Sequence, residues 1–306
     1  MALILPWDYA AAMAATSLAV GAGLRVRLSD RQRAIGAFLR EAGIVIGLYA
    51  VWQLVRRLSL TSTAGASQRA EWIQHTEAAL HLPSEAGAQH WILWSPALIH
   101  AANLYYAVVH FPATIALLVW LYVRHRGRYG EARWTLAVTT LVCLAIQFMP
   151  VAPPRLMPGF VDTGVRYGQS VYGDGWGAAQ LSAMPSVHMA WALAVGWYVW
   201  RIAPTRWRWI GPLHAGVTAV VVVVTANHWW LDEIVAAAIV AAVIAVVARL
   251  VRVVSGGGLE LIRRPAHPEP QIRVFPRKSA GPSGAADAQI RDDTRTYPVG
   301  STWLST

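Results

Sequence analysis

The stretch LDEIVAAAIVAAVIAVVARLVR, residues 231–252, decides the fold of this chain. It has no charged side chain between Glu233 and Arg249, and its length matches the roughly 20 residues that a helix needs to cross a bilayer. Five more apolar stretches precede it, at about residues 40–56, 97–123, 134–150, 186–202 and 209–227. Charged or Pro/Gly-rich connections separate them. This pattern predicts an all-α, polytopic membrane helix bundle with six core transmembrane helices.

The composition agrees with a membrane protein. The chain is 56% hydrophobic and 14% charged, and it has 16 tryptophans in 306 residues, which is too apolar for one soluble domain of this size. A seventh apolar stretch, residues 2–24, has Asp8 near its start and no basic region before it, unlike a cleaved secretory signal. We expect an extra helix there that either crosses the bilayer or lies along it. Cys143 is the single cysteine, so we interpret it as a packing residue.

The basic residues are distributed unevenly along the chain. The formal net charge is +10, and arginines cluster in alternate connections, at residues 25–33, 124–133, 201–208 and 249–264. By the positive-inside rule these connections are cytoplasmic, which leaves residues 57–96, 151–185 and 227–231 on the outer face. Arg56 and Arg57 oppose this assignment but are outnumbered. Topology and contact with anionic lipid headgroups explain the charge, so we expect no nucleic-acid partner.

The string Pro185-Ser186-Val187-His188 begins the fourth predicted helix on the outer side. Proline suits a first turn that needs no amide hydrogen, and serine offers a capping oxygen. The free amides and the positive dipole end of such a helix start attract an anion such as phosphate. His188 would then lie beside the phosphate and donate a proton to a leaving oxygen. The alternative is a capped helix with an interfacial histidine.

His228 and Asp232 are four residues apart, a spacing that puts two side chains on one face of a helix. A carboxylate there keeps one ring nitrogen protonated and leaves the other nitrogen free as a nucleophile. The alternative is a helix start in which Asn227 is the cap and Asp232 and Glu233 lie near the positive end of the dipole.

Arg155, in Pro153-Pro154-Arg155, follows the third predicted helix on the same outer side. Its planar guanidinium matches phosphate oxygens and stabilises charge that develops on them. Taken alone, Arg155 fits an interfacial anchor better than a phosphate ligand. Together, the arginine, the helix start with His188 and the His228–Asp232 pair form a complete set for phosphoryl transfer without a metal ion.

In their order and placement these motifs resemble the type 2 phosphatidic acid phosphatase superfamily, over about residues 39–252. The likeness is greatest to its inositolphosphotransferase branch, which is related to inositol phosphorylceramide synthases. Further matching strings are Asn103-Leu104-Tyr105-Tyr106, His110-Phe111-Pro112, Pro150-Val151-Ala152-Pro153-Pro154-Arg155 and Met184-Pro185-Ser186-Val187-His188-Met189-Ala190-Trp191. The resemblance implies that His228 is the nucleophile, Asp232 its orienting partner, His188 the general acid and Arg155 a phosphate ligand.

The chain also departs from the broad superfamily pattern. Phe148 stands seven residues before Arg155, where a lysine is usual, and Val221-Val222 replace a Ser-Arg pair. Pro-Ser-Gly-His has become Pro-Ser-Val-His. One arginine is few for a phosphate, so we expect Ser186 and Arg166 to add phosphate contacts. These departures favour the transferase branch.

The sequence therefore predicts an integral enzyme of a bacterial cell membrane that acts on a lipid phosphate at the outer, extracytoplasmic face. The phosphoryl unit would pass through a phosphohistidine at His228 to water or to a hydroxyl group, in the latter case carrying a headgroup such as inositol phosphate. The alternative is a non-enzymatic lipid transporter or membrane scaffold. Against it, the chain lacks inverted-repeat symmetry, and its polar groups lie at one face instead of the midplane.

No cofactor and no metal are expected, since Asp162 and Asp174 lack tight ligand spacing. The expected partners are the lipid phosphate and membrane lipids, and the sequence does not indicate an oligomeric state. Residues 61–92, with Trp72, Trp91 and the adjacent Trp94 as anchors, predict amphipathic helices at the outer interface, either a lid over the lipid's path or a plain cover for the bundle.

Tyr105, Tyr106 and His110 lie near the outer half of the second predicted helix, where either pocket lining or packing explains them. Residues 255–306 are rich in Gly, Pro and Arg and predict a disordered cytoplasmic tail. We therefore divide the chain into an N-terminal helix with a basic segment, residues 1–36, a membrane-embedded catalytic domain, residues 37–254, and the tail.

Overall fold

The computed structural model of the chain describes residues 6–24, 29–59, 63–170 and 180–262. Over these residues the regular elements are helices, apart from one isolated parallel bridge between Val151 and Ser182. The helices are α1 Trp7–Gly23, α2 Asp30–Ser59, α3 Ala66–Ala79, α4 Glu85–Leu93, α5 Pro96–Val108, α6 His110–Arg124, α7 Arg126–Ile146, α8 Thr163–Arg166, α9 Val187–Ile202, α10 Ile210–Val224 and α11 Trp230–Ile262. The predicted all-α membrane bundle is confirmed.

All six predicted membrane segments are helical in the structure. By length and apolar composition, two helices among the described residues can cross a bilayer, α2 over Asp30–Leu54 and α11 over Trp230–Val253. The bent pair α5–α6 adds a third if it forms one span. Six crossings stay a prediction, because α9 and α10 have only 16 and 15 residues.

The second predicted segment, residues 97–123, is not one straight helix. It breaks at Val109 into α5 and α6, which are bent by 47°. The sequence explains the break through Pro112, in the first turn of α6. Proline has no amide hydrogen, and its ring clashes with the carbonyl four residues earlier, here that of Val108. The bend places residues on both sides of Val109 close to the candidate site.

The predicted N-terminal helix is present as α1, which packs closely on α2. A Cβ atom added at Gly21 would lie 2.8 Å from the carbonyl oxygen of Gly36, so the two helices meet backbone to backbone. Whether α1 crosses the bilayer stays a prediction.

Compact packing divides the chain into residues 1–259 and residues 260–306. Of the second unit, the structure describes only residues 260–262, the end of α11. The predicted disordered tail therefore lies almost wholly outside the described residues, and the predicted domain limits stay predictions.

The predicted amphipathic segment before α5 forms α3 and α4. Trp72 on α3, Trp91 on α4 and Trp94 directly after α4 are 64%, 79% and 74% exposed, as expected of anchors at a membrane interface. The opposite face is buried. The small and branched side chains of α3 join one core cluster with the loops before α8, α9 and α11; its members are Ala66, Ala70, Ile73, Val151, Ala152, Met157, Ala183 and Trp229. This segment therefore covers the loops that carry the three motifs.

Candidate active site

The loop that carries Arg155 is fixed to the turn before α11. The backbone N–H of Arg155 donates to the carbonyl of Ala226 at 2.8 Å. The indole N–H of Trp229, which is fully buried, donates to the carbonyl of Ala152 at 3.0 Å. Residues far apart in sequence are thus held together by hydrogen bonds that the surrounding core keeps away from water.

The loop that leads to α9 is hydrogen-bonded to the other two loops. The N–H of Val151 donates to the carbonyl of Leu181 at 2.6 Å, and the N–H of Ala183 donates back to the carbonyl of Val151 at 3.2 Å. The N–H of Ser186 lies 3.4 Å from the carbonyl of Asp232. The three motifs therefore meet in one place, which the sequence predicted only as a shared membrane face.

His228 lies just before α11 and is 4% exposed. Its Nδ1 atom is 2.8 Å from the carbonyl oxygen of Ala183 and 3.4 Å from Oδ2 of Asp232. A carbonyl oxygen only accepts hydrogen bonds, so this contact requires a proton on Nδ1. In the neutral ring the lone pair is then on Nε2, the arrangement that a nucleophilic histidine needs.

Asp232 is fully buried and acts on the helix as well as on the histidine. Its Oδ2 accepts the backbone N–H of Trp229 at 2.9 Å, which is the contact that an acidic residue makes in the third position of a helix. The helix-start interpretation and the orienting interpretation of Asp232 therefore both apply. Asn227, the cap in the alternative interpretation, instead accepts a hydrogen bond from Arg155.

His188 lies in the first turn of α9, with its ring centroid 5.7 Å from that of His228. Tyr106 stacks on the His188 ring at 4.3 Å, and His110 contacts it edge-on at 4.2 Å. Tyr106 comes from α5 and His110 from α6, so the bend at Val109 puts both rings against His188. Sequence spacing alone favoured packing for these two residues and left pocket lining as the alternative.

Tyr105, the third of those residues, points to α10 instead. Its hydroxyl lies 2.8 Å from Nδ1 of His214 and 3.1 Å from Oγ1 of Thr218. These contacts join α5 to α10, so packing accounts for Tyr105.

Ser186 is the N-cap of α9, as the sequence predicted. Its Oγ accepts the N–H of Met189 at 3.2 Å, and the side chain is fully buried. The carbonyl of Pro185 accepts from Gln147 at 3.1 Å, a contact that sequence reasoning missed. A phosphate contact of Ser186 stays a prediction.

Arg155 is 6% exposed, and its guanidinium is aligned by two side chains. Nη1 donates to Oδ1 of Asn227 at 2.9 Å, and Nε lies 3.4 Å from Oδ2 of Asp162. These groups border a small cavity lined by Asn103, Tyr106, Arg155, Asp162, Gly164, Gln169, Ser170 and Asn227. Tyr106 lines this cavity and also stacks on His188, so the permanent positive charge of Arg155 lies beside the ring stack that contains His188.

Asp162, which we considered as a metal ligand, pairs with Arg155 and also caps α8 through the N–H of Val165. The other candidate, Asp174, lies outside the described residues. Within the described residues, no three His, Cys, Asp or Glu side chains are arranged to hold a metal ion.

Arg166 does not lie in this cluster of motif residues. It is exposed at the end of α8, and its guanidinium carbon lies 5.9 Å from the centroid of the neighbouring Tyr167 ring. It does not border the cavity that Arg155 lines. Its role as a phosphate ligand stays a prediction.

Four polar side chains of α3 and α4 were missed as part of the site. Arg69 donates to the carbonyl of Pro150 at 2.6 Å, and Gln89 exchanges two hydrogen bonds with the backbone of Val161. Glu77 and Glu85 accept backbone N–H groups at the start of α11. An amphipathic pattern suggests that carboxylates face water, and nothing in the local sequence marks these two as buried.

The model of one protein family, the PAP2 superfamily, matches residues 71–246. That range is more than half of the chain, and it contains Arg155, His188, His228 and Asp232. No curated protein and no solved structure gives a significant match.

Proposed function

Because this chain belongs to the PAP2 superfamily, whose members are phosphatases, we propose that it is a membrane enzyme that cleaves a lipid phosphate ester through a covalent bond to His228. The family match supports a phosphatase-type activity on lipid phosphates. The inositolphosphotransferase branch, an acceptor other than water, the outer-leaflet site and the bacterial cell membrane are narrower parts of the same proposal.

The distance between the rings of His188 and His228 carries the proposal. Their centroids are 5.7 Å apart, so one phosphate group can contact both rings. A lipid transporter or scaffold does not require this proximity, and a gap too wide for one phosphate would have favoured it. The proximity therefore supports an enzyme with an acid and a nucleophile on either side of one phosphate.

In the first step, Nε2 of His228 attacks phosphorus, and the bond between phosphorus and the lipid oxygen breaks as the phosphorus–nitrogen bond forms. The Nδ1 proton stays on the ring, held by the carbonyl of Ala183. The negative charge of the bound phosphate favours a proton on His188, which gives that proton to the departing lipid oxygen. The products are a phosphohistidine and the lipid alcohol.

In the second step, the oxygen of water or of another hydroxyl group attacks the phosphohistidine. The proton of the attacking group passes to His188, which regenerates its starting form, and the bond between phosphorus and His228 breaks. The same residues serve hydrolysis and transfer, so the acceptor that the pocket admits decides the outcome.

The guanidinium of Arg155 supplies positive charge for the phosphate oxygens. Asn227 and Asp162 hold it in one orientation, so it needs no reorganisation as charge develops in the transition state. The charge of Asp162 partly offsets that of Arg155 when no anion is bound.

The test is turnover by the purified protein of a panel of polyprenyl, glycerol and inositol lipid phosphates, with free phosphate measured against transferred headgroup. We expect at least one substrate to be consumed, and activity to be lost in His228→Ala and kept in His75→Ala, a control at an exposed histidine of α3. We also expect activity to survive a chelator. Full turnover by His228→Ala, or loss of activity with a chelator and its return with magnesium, would contradict the mechanism.

A further inference from the structure

Two carboxyl groups from the covering helices bind the start of α11. Oε1 of Glu77, on α3, accepts the backbone N–H of Leu231 at 2.6 Å. Oε1 of Glu85, on α4, accepts the backbone N–H of Trp230 at 3.4 Å. The first amides of a helix have no partner within the helix, and here side chains that precede α11 by about 150 residues supply the acceptors.

Both carboxyl groups are removed from water. Glu77 is 3% exposed and Glu85 is 5% exposed. A buried carboxylate is costly unless it is paired or hydrogen-bonded, and the positive end of the α11 dipole offers only part of the compensation. Two adjacent carboxylates, both ionised, would also repel each other. A proton on Glu77 removes that repulsion.

The other carboxyl groups at this helix start increase the cost of a second charge. Asp232, fully buried, and Glu233, 6% exposed, lie in the first turn of α11. Burial first, and then the neighbouring carboxyl groups of Glu85 and Asp232, raise the pKa of Glu77 to about 9. Glu77 therefore keeps its proton at neutral pH.

We infer that Glu77 and Glu85 are positioning residues for His228, because together they hold the N–H groups of the α11 start that lie two and three residues after the nucleophile. The inference rests on the proposed function. Its consequence is that α3 and α4 are more than a cover, since they hold the start of α11, which directly follows His228 and its neighbour Trp229.

The direction of the pH dependence follows from the raised pKa. A carboxyl group whose pKa is higher in the folded than in the unfolded protein stabilises the fold fully only below its unfolded pKa. For Glu77 the unfolded pKa is 4.5, and the stabilisation is lost as the pH rises toward the folded pKa of about 9. Above that pH Glu77 carries a negative charge among the buried carboxyl groups at the start of α11, and this helix start loosens. We expect the thermal stability to fall between about pH 4.5 and pH 9, and kcat to fall as Glu77 ionises near the upper end of that range.

The deciding variant is Glu77→Gln, which is isosteric, keeps an oxygen for the N–H of Leu231 and cannot ionise. We expect it to fold, to retain near-wild-type kcat and KM at neutral pH, to lose the alkaline decline of kcat, and to lose the decline of the melting temperature between about pH 4.5 and pH 9. Glu77→Ala removes the acceptor, and we expect kcat to fall by about tenfold or more while KM changes less, as for a misplaced catalytic group. Glu71→Gln, at an exposed position of α3, is the matched control and should keep the wild-type pH profile.

A pH dependence of kcat and melting temperature in Glu77→Gln that matches the wild type would overturn the inference. So would a Glu77→Ala protein with full kcat. The melting temperatures need no substrate, so they test the carboxyl pair separately from the enzyme. If the wild type turns over no lipid phosphate but Glu77→Gln changes the melting profile as expected, the proposed function fails and with it the positioning role, while the raised pKa of Glu77 stands.

Discussion

Nδ1 of His228 lies 2.8 Å from the carbonyl oxygen of Ala183. This main-chain acceptor requires the proton on Nδ1 and leaves Nε2 as the reactive atom. Asp232, the partner expected from the four-residue spacing, is 0.6 Å further away, at 3.4 Å. The backbone of the loop before α9 and a carboxylate of α11 therefore share the task of orienting the nucleophile.

The first prediction concerns Asp232→Asn. The Ala183 carbonyl still holds the Nδ1 proton, and the Asn oxygen still accepts the N–H of Trp229, but the negative charge that favours the attacking ring is lost. We expect kcat to fall by about 10- to 100-fold, less than the roughly 10⁴-fold loss caused by a wrong histidine tautomer. Rapid-quench measurement of phosphohistidine formation checks this. A loss as large as that of His228→Ala would mean that Asp232, and not Ala183, sets the tautomer.

The second prediction concerns His188 as the proton donor. In His188→Asn, we expect kcat for a lipid alcohol leaving group to fall by about 10²–10⁴-fold, the usual contribution of a general acid. A nitrophenyl ester of the same phosphate needs no proton on its leaving oxygen, so its turnover should fall much less. The comparison is made with steady-state rates for both substrates. Equal losses would assign His188 to binding instead of proton transfer.

The third prediction separates the two arginines. Lysine cannot reproduce the fork that Arg155 presents between Asn227 and Asp162, so Arg155→Lys should lower kcat by about 10²–10³-fold. Because Arg166 is exposed, Arg166→Ala should change kcat and KM far less than Arg155→Lys does. Steady-state kinetics on one lipid phosphate compare the two variants. A large rise in KM for Arg166→Ala would restore it as a phosphate ligand that reaches the site only with substrate bound.

The fourth prediction concerns the contact between α9 and α10. A Cβ atom at Gly211 would lie 2.5 Å from the carbonyl oxygen of Gly196, closer than packed atoms allow. Gly211→Ala should therefore destabilise the protein by about 1–3 kcal/mol through overpacking. Gly216→Ala, on the same helix with no atom within 4 Å of the added Cβ, is the matched control and should be neutral or slightly stabilising. Thermal unfolding in detergent measures both, and equal melting temperatures would show that the helices separate without cost.

The helices were predictable because the length of an apolar segment and the residues that cap a helix start are local properties of the sequence. Ser186 capping α9 and the positions of the apolar segments follow from the local sequence. The break at Val109 was predictable in principle from Pro112, yet the apolar run hid it. The sequence predicted a shared membrane face for His188 and His228, but a face is tens of ångströms wide, and only packing brings the two rings to 5.7 Å.

By itself, the sequence determined that the chain is a helical membrane protein and which residue types could transfer a phosphoryl group, because hydropathy and motif spacing are local properties. Only the tertiary structure decided that a carbonyl 45 residues away orients His228, that Glu77 is buried against an amide 154 residues away, and that Arg166 stays outside the cluster. Contacts over such separations depend on how helices pack, and no periodicity along the chain encodes them.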